Sequence, residues 1–165
     1  MKNKALLLVL VVVFVNVLIF VVFKGRKAPK FPVLETELLD ASAGKYDLLK
    51  NINSVTIVSY YQSWCGDCRR ELKELEALQE AVGGEQKLNI IMISDEPWSI
   101  IERVKSTSKP SVQFFQAQKA LRNIGIRRFP TTYLLNKNAE VSEAKVEGIH
   151  WNTKEIQDKI IIMNK

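Results

Sequence analysis

The sequence predicts an α/β fold, a central mixed β-sheet flanked by helices, preceded by one N-terminal transmembrane helix. Three observations carry that prediction. Strand-like and helix-like apolar patterns alternate along the chain in the order β-α-β-α-β-α-β-β-α. The strongest strand pattern, Val55 to Tyr61 (VTIVSYY), runs directly into the strongest amphipathic helix pattern, residues 66–82. Ahead of both, the 19 residues Ala5 to Phe23 hold no charge and one strongly polar side chain, Asn16.

At roughly 1.5 Å per residue that apolar run reaches about 28 Å, which matches the hydrocarbon core of a bilayer. A cleaved signal peptide would have a shorter apolar stretch ending in a small-x-small site, whereas this one ends Val-Val-Phe-Lys-Gly-Arg, so a retained anchor is expected. Residues 1–24 read as the anchor, 25–32 (GRKAPKFP) as a linker and 33–165 as one domain. Four basic residues follow the anchor against two and the amino terminus before it, a difference of about one charge that slightly favours a cytoplasmic body and does not decide the orientation.

The body is of ordinary globular composition, 47% of the chain being apolar and 25% charged, and is long enough to bury a core without metals or structural disulfides. The net charge of +6 comes wholly from Lys2, Lys4, Lys24, Arg26, Lys27 and Lys30, because residues 31–165 carry 18 basic against 18 acidic side chains. A body without net charge offers no footprint for phosphate backbones, so nucleic acid is not an expected partner.

Residues 33–50 are the least readable, with one or two helical turns expected. In the helix pattern after Tyr61, Leu72, Leu75, Leu78 and Val82 fall at helical spacing and Gly83-Gly84 ends the run. Leu88 to Ile93 is a second apolar strand. Pro97 to Ser106 reads as a helix with Pro97 in its first turn. Val112 to Phe115 is a third strand, followed by helix around Ala117 to Ile124. Thr131 to Leu135 and Ala144 to Glu147 read as two strands joined across Asn136-Lys137-Asn138, and Thr153 to Met163 as the last helix.

The chemistry is concentrated where the first strand meets the first long helix, in Ser63-Trp64-Cys65-Gly66-Asp67-Cys68-Arg69-Arg70-Glu71. Two residues between cysteines at a helix start let the sulfurs approach bonding distance without dismantling the helix. Unpaired N–H groups and the helix dipole there lower the pKa of the first thiol, which points to Cys65 as attacking and Cys68 as resolving thiol. Cys-x-x-Cys spacing also serves zinc, but the chain has no third cysteine and one histidine, His150. Covalent haem attachment needs a histidine after the second cysteine, where Arg69 stands. No cofactor or metal is expected. A buried structural disulfide is the plain alternative. Glu71, three residues after Cys68 and on the same helix face, is a candidate proton relay, its alternative being a solvated carboxylate beside Arg70 and Lys73.

Trp64-Cys65-Gly66-Asp67-Cys68 after an apolar strand, with Phe129-Pro130-Thr131-Thr132-Tyr133-Leu134-Leu135 later, resembles the thioredoxin-like superfamily over roughly residues 45–150. The anchor and the intervening elements are similar to its membrane-tethered bacterial branch, the TlpA and ResA-like thiol-disulfide oxidoreductases. The resemblance implies a thioredoxin-like fold, a cis Pro130 facing the cysteines, and a substrate site bordered by Trp64, Phe129 and Pro130. Thioredoxins proper have a buried acid six residues before the first cysteine. Ser59 stands there in this chain, which shifts that role to Glu71, where the ResA-like branch has an acid. Asp67 replaces the proline of thioredoxin; it favours the helix start but opposes a Cys65 thiolate.

The expected function is therefore exchange of disulfides with protein substrates by a reductase held in the bacterial cytoplasmic membrane. Its body would be extracytoplasmic (periplasmic) and a membrane redox partner would supply electrons, as in cytochrome c maturation. An oxidant or disulfide donor, a copper-handling thiol protein aided by His150 or a methionine, and an anchored interaction module are the alternatives. A thiol peroxidase is disfavoured, since no Pro-x-x-x-Thr-x-x-Cys pattern occurs. Arg127 and Arg128, just before Pro130, read either as a solvated turn or as steering charges for acidic substrates. His150 reads as a surface residue, and Trp98 and Trp151 as packing residues.

Overall fold

The computed structural model describes residues 10–17, 28–32, 37–84, 87–147 and 150–165. Helix α1 (residues 10–17) is exposed and apolar, and the rest of the Ala5 to Phe23 segment lies outside the described residues. Among the described residues no helix is long and apolar enough to cross a membrane.

The body is built on strands β1 (Leu38–Leu39), β2 (Lys45–Tyr46), β3 (Thr56–Tyr60), β4 (Asn89–Ser94), β5 (Val112–Ala117), β6 (Thr131–Leu135) and β7 (Val141–Val146). Its helices are α2 (Leu48–Asn51), α3 (Gly66–Ala81), α4 (Trp98–Lys105) and α5 (Lys154–Met163), with a 3-10 turn at Leu121–Ile124. One seven-stranded sheet runs in the order β2-β1-β5-β4-β3-β6-β7. β3, β4 and β5 are parallel, while β6, β7, β1 and β2 pair antiparallel, so the sheet is mixed, as the alternation predicts.

Period-2 alternation sends successive side chains of each central strand into different cores. Ile57, Ile90, Met92, Phe114 and Leu134 meet Leu72, Leu75 and Leu78 of α3 together with Ile156 and Ile160 of α5. Their neighbours Val58, Ile91, Ile93, Phe115, Tyr133 and Leu135 form the second core with Leu48, Leu121 and Ile124. Burial on both faces explains why β3 and β4 read as continuous apolar runs. The linker joins the second core: the Phe31 ring packs tilted against Tyr133 with centroids 5.0 Å apart, and the Tyr133 hydroxyl donates to the Pro29 carbonyl at 2.8 Å.

Three expectations are corrected. The stretch from Ala117 is not a helix; β5 continues to Ala117, which pairs with Leu38, and only Leu121–Ile124 coil before Gly125 reverses the chain at φ +91°. Leu121 and Ile124 are buried three residues apart, a spacing that a 3-10 turn satisfies as well as an α-helix does. In residues 33–50 the sequence reading missed β1 and β2, two-residue strands too short to show a period; β2 pairs with β1, and β1 pairs with β5 nearly eighty residues on. The last strand begins earlier than expected, at Val141, because its largely exposed side chains give little alternation.

Candidate redox site

β3 delivers the chain at Tyr60 to the loop that precedes α3, and the acidic segment leaving β4 holds that loop. Asp95 accepts from Gln62 Nε2 at 2.6 Å. Glu96 accepts from the Ser63 amide at 2.7 Å, the Ser63 hydroxyl at 2.6 Å and the Ser94 hydroxyl at 3.1 Å. Arg69, from the first turn of α3, donates to the Ser63 carbonyl at 2.8 Å. Ser94, Asp95 and Glu96 were missed in the sequence. The signal available was their place at the carboxyl end of a parallel strand, where sites in α/β sheets collect.

Cys65 is the N-cap of α3, and its sulfur accepts the Cys68 amide at 3.2 Å. This is a helix N-terminus directing an N–H at sulfur, the arrangement that favours a thiolate in the reduced protein. Cys65 and Cys68 are joined as a disulfide with Cα atoms 5.3 Å apart, and both are buried. The Phe129-Pro130 peptide bond is cis, and the Phe129 carbonyl oxygen lies 3.6 Å from Cys65 Sγ. Trp64 stands 70% exposed beside it, edge-on to Phe129 with centroids 6.2 Å apart. The structure thus brings together Trp64, Cys65, Cys68, Phe129 and Pro130.

Glu71 is wholly buried, which removes the solvated alternative. The β3–β6 register pairs Ser59 with Thr132, and both hydroxyls face α3. Ser59 Oγ donates to Glu71 Oε2 at 3.0 Å, and Thr132 Oγ1 lies 2.8 Å from both Glu71 Oε2 and Ser59 Oγ. Trp151 Nε1 donates to Glu71 Oε1 at 2.7 Å, and the Lys145 ammonium sits 4.6 Å from the Trp151 ring centroid. Burial pushes the Glu71 carboxyl up to about 7, against the opposing pull of the Thr132, Trp151 and Ser59 hydrogen bonds and the Lys145 charge. A carboxyl poised there exchanges protons near neutrality. Ser59, where thioredoxins proper have their acid, hydrogen-bonds the acid supplied from α3. Trp151 does more than pack: its indole N–H holds that carboxylate.

His150 is exposed on a left-handed residue at φ +65°, and among the described residues no three His, Cys, Asp or Glu side chains converge on a point. Arg127 and Arg128 are both exposed; Arg128 lies 3.8 Å from Glu147. Trp98 packs at the margin of the first core.

The family model described as the AhpC/TSA family matches residues 24–145. The chain belongs to the AhpC/TSA family. A relative of this AhpC/TSA chain, the sporulation thiol-disulfide oxidoreductase A of Bacillus subtilis, is 23% identical over 126 residues, covering 73% of this chain and 75% of the relative. A thioredoxin-like protein from Porphyromonas gingivalis superimposes with a TM-score of 0.62 at 15% identity, over 78% of this chain and 89% of that one. A thiol:disulfide interchange protein from Bacteroides sp. gives 0.58 at 17% identity, over 78% and 85%. The fold is thioredoxin-like, and with the Cys65–Cys68 pair at the helix start this AhpC/TSA member is a thiol-disulfide oxidoreductase.

Proposed function

We propose that the protein is a membrane-tethered reductase of protein disulfides of the TlpA and ResA-like kind, facing the extracytoplasmic side of a bacterial cytoplasmic membrane and recharged by a membrane redox partner. The observation that carries the reading is the Cys65–Cys68 disulfide at the N-terminus of α3, with the Phe129 carbonyl 3.6 Å from Cys65 Sγ and the near-neutral Glu71 one turn beyond Cys68. In the forward direction the Cys65 thiolate attacks a substrate disulfide. A Cys65–substrate bond forms, the substrate S–S bond breaks, and one substrate thiolate leaves. Cys68, giving its proton to Glu71, then attacks Cys65 Sγ, which closes the Cys65–Cys68 bond and releases the second substrate thiolate. Two electrons pass to the substrate, and two protons complete its thiols.

Trp64, Phe129 and Pro130 border the approach, and the Phe129 backbone pairs with an extended substrate strand. The anchored reading rests on the apolar Ala5 to Phe23 segment. The extracytoplasmic reading rests on the chemistry: a tethered dithiol acts best as a local reductant where disulfides form.

The test is the reduction potential of the full-length chain in detergent, equilibrated against dithiothreitol or glutathione buffers and read by alkylation of Cys65 and Cys68. A value near or below about −270 mV is expected of a reductant, and one near about −120 mV would make the protein a disulfide donor instead. Cys68→Ser should accumulate a covalent adduct between Cys65 and substrate, visible on non-reducing gels, and Cys65→Ser should accumulate none.

A further inference from the structure

A groove of about 660 Å³ runs between the active-site loop, at Gln62 and Trp64, and the segment that leads to Pro130. Trp64 and Phe129 form its apolar wall next to Cys65, and Ile126 lies at its base. Its far wall is basic. Gly125, at φ +91°, turns the chain back after the 3-10 turn, so that Arg122 within that turn and Arg127 beyond Gly125 both line the groove. Both arginines are exposed, and neither has an acidic partner among the described residues. Asp95 is the one acid lining the groove, and its two oxygens are taken by Gln62 Nε2 at 2.6 Å and the Leu121 amide at 2.8 Å. The cations are therefore left to face solvent, with guanidinium forks matched to carboxylates.

We propose that this groove selects its polypeptide substrates by charge, taking an extended segment in which an acidic side chain lies within a few residues of the target cysteine and pairs with Arg122 and Arg127, while an apolar neighbour rests on Trp64 and Phe129. The inference rests on the exchange reading above, and it supplies the substrate class that reading leaves open. The charge complement decides for an acidic segment, because a basic one would meet two unpaired arginines at close range.

Three disulfide-cyclised peptides, identical except for Glu, Gln or Lys two residues from one cysteine, test it on the reduced full-length protein in detergent. Linear versions with both cysteines replaced by serine and a fluorophore attached report binding alone, by anisotropy. The Glu peptide is expected to be reduced, and its linear form bound, about tenfold more effectively than the Lys peptide at low ionic strength, with the ratio falling towards one at about 0.5 M salt. Arg122→Ala/Arg127→Ala should bring both ratios close to one, and Arg122→Glu/Arg127→Glu should invert them. Lys50→Ala/Lys87→Ala, which removes two charges that do not line the groove, should keep the preference.

Equal treatment of the Glu and Lys peptides by the unaltered protein overturns the inference, as does a preference that survives loss of both arginines. Failure of the exchange reading looks different: no cyclic peptide is reduced, although the linear Glu peptide is still bound in preference and depends on Arg122 and Arg127.

Discussion

Glu71 shows how one buried group ties stability to chemistry. Its carboxyl is raised from an ordinary 4.5 to about 7, chiefly by burial, so between those values the folded protein holds a proton that the unfolded chain has released. The sign follows: this group's contribution to stability is fully present below about pH 4.5 and is lost as pH rises through about 7. Glu71→Gln keeps the shape and removes the charge. Relative to the unaltered protein, the variant should gain about 2 kcal/mol between about pH 5 and pH 8. Denaturant melts at the two pH values check it, and parallel curves for the two proteins would show that the carboxyl does not titrate in the fold. The same substitution should also remove the inflection near pH 7 from the rate at which Cys68 resolves a mixed disulfide. At this scale Cys65 and Cys68 were legible, because spacing and helix position both act locally. The burial of Glu71 was not, since Ser59, Thr132 and Trp151 come from three separate segments that only folding joins.

Among the elements, α3 and the β4 exit determine where the sulfurs sit. The helix could be read from its Leu72, Leu75, Leu78 and Val82 spacing and its Gly83-Gly84 stop, both glycines having positive φ. The clamp from Ser94 to Glu96 could not, because it is a contact between two loops about thirty residues apart in the chain. Glu96→Ala would remove three hydrogen bonds and leave the Ser63 amide in a half-buried site without its acceptor. A loss of about 2 kcal/mol is expected, with a slower exchange rate because the loop leading to Cys65 is no longer fixed. A thermal melt beside a Cys65 alkylation time course checks both effects. Unchanged alkylation in a destabilised variant would restrict Glu96 to stability. Element identity failed at β1 and β2 for a related reason: a two-residue strand is defined by its neighbour and not by its own period.

At the scale of the whole molecule, the proposal of a tethered enzyme joins a body without net charge to an apolar, basic-flanked N-terminal segment. The start of the body is fixed by Phe31 on Tyr133 and by the Pro29 carbonyl on the Tyr133 hydroxyl, so a tether would hold the domain within a few residues of the bilayer surface. The full-length chain should stay with membranes through alkaline carbonate washing, and a chain lacking residues 1–24 should appear in the supernatant. Recovery of the full-length chain in the wash would rule out the anchor. The central alternation of the body was legible as a whole, because each strand and helix buries its own apolar face and writes that period into the sequence.

Residue order alone specifies the mixed α/β architecture, the helix-start position of Cys65 and Cys68 and the separation of a basic apolar terminus from a body without net charge. All of these are properties of neighbouring residues, fixed by periodicity, spacing and local charge. Only the tertiary structure decided that Glu71 is buried on a ring of Ser59, Thr132 and Trp151, that Glu96 holds the redox loop, and that Arg122 joins Arg127 beside Trp64. Those outcomes depend on which strands pair and in what register, and pairing energy is distributed over contacts between residues far apart in the chain.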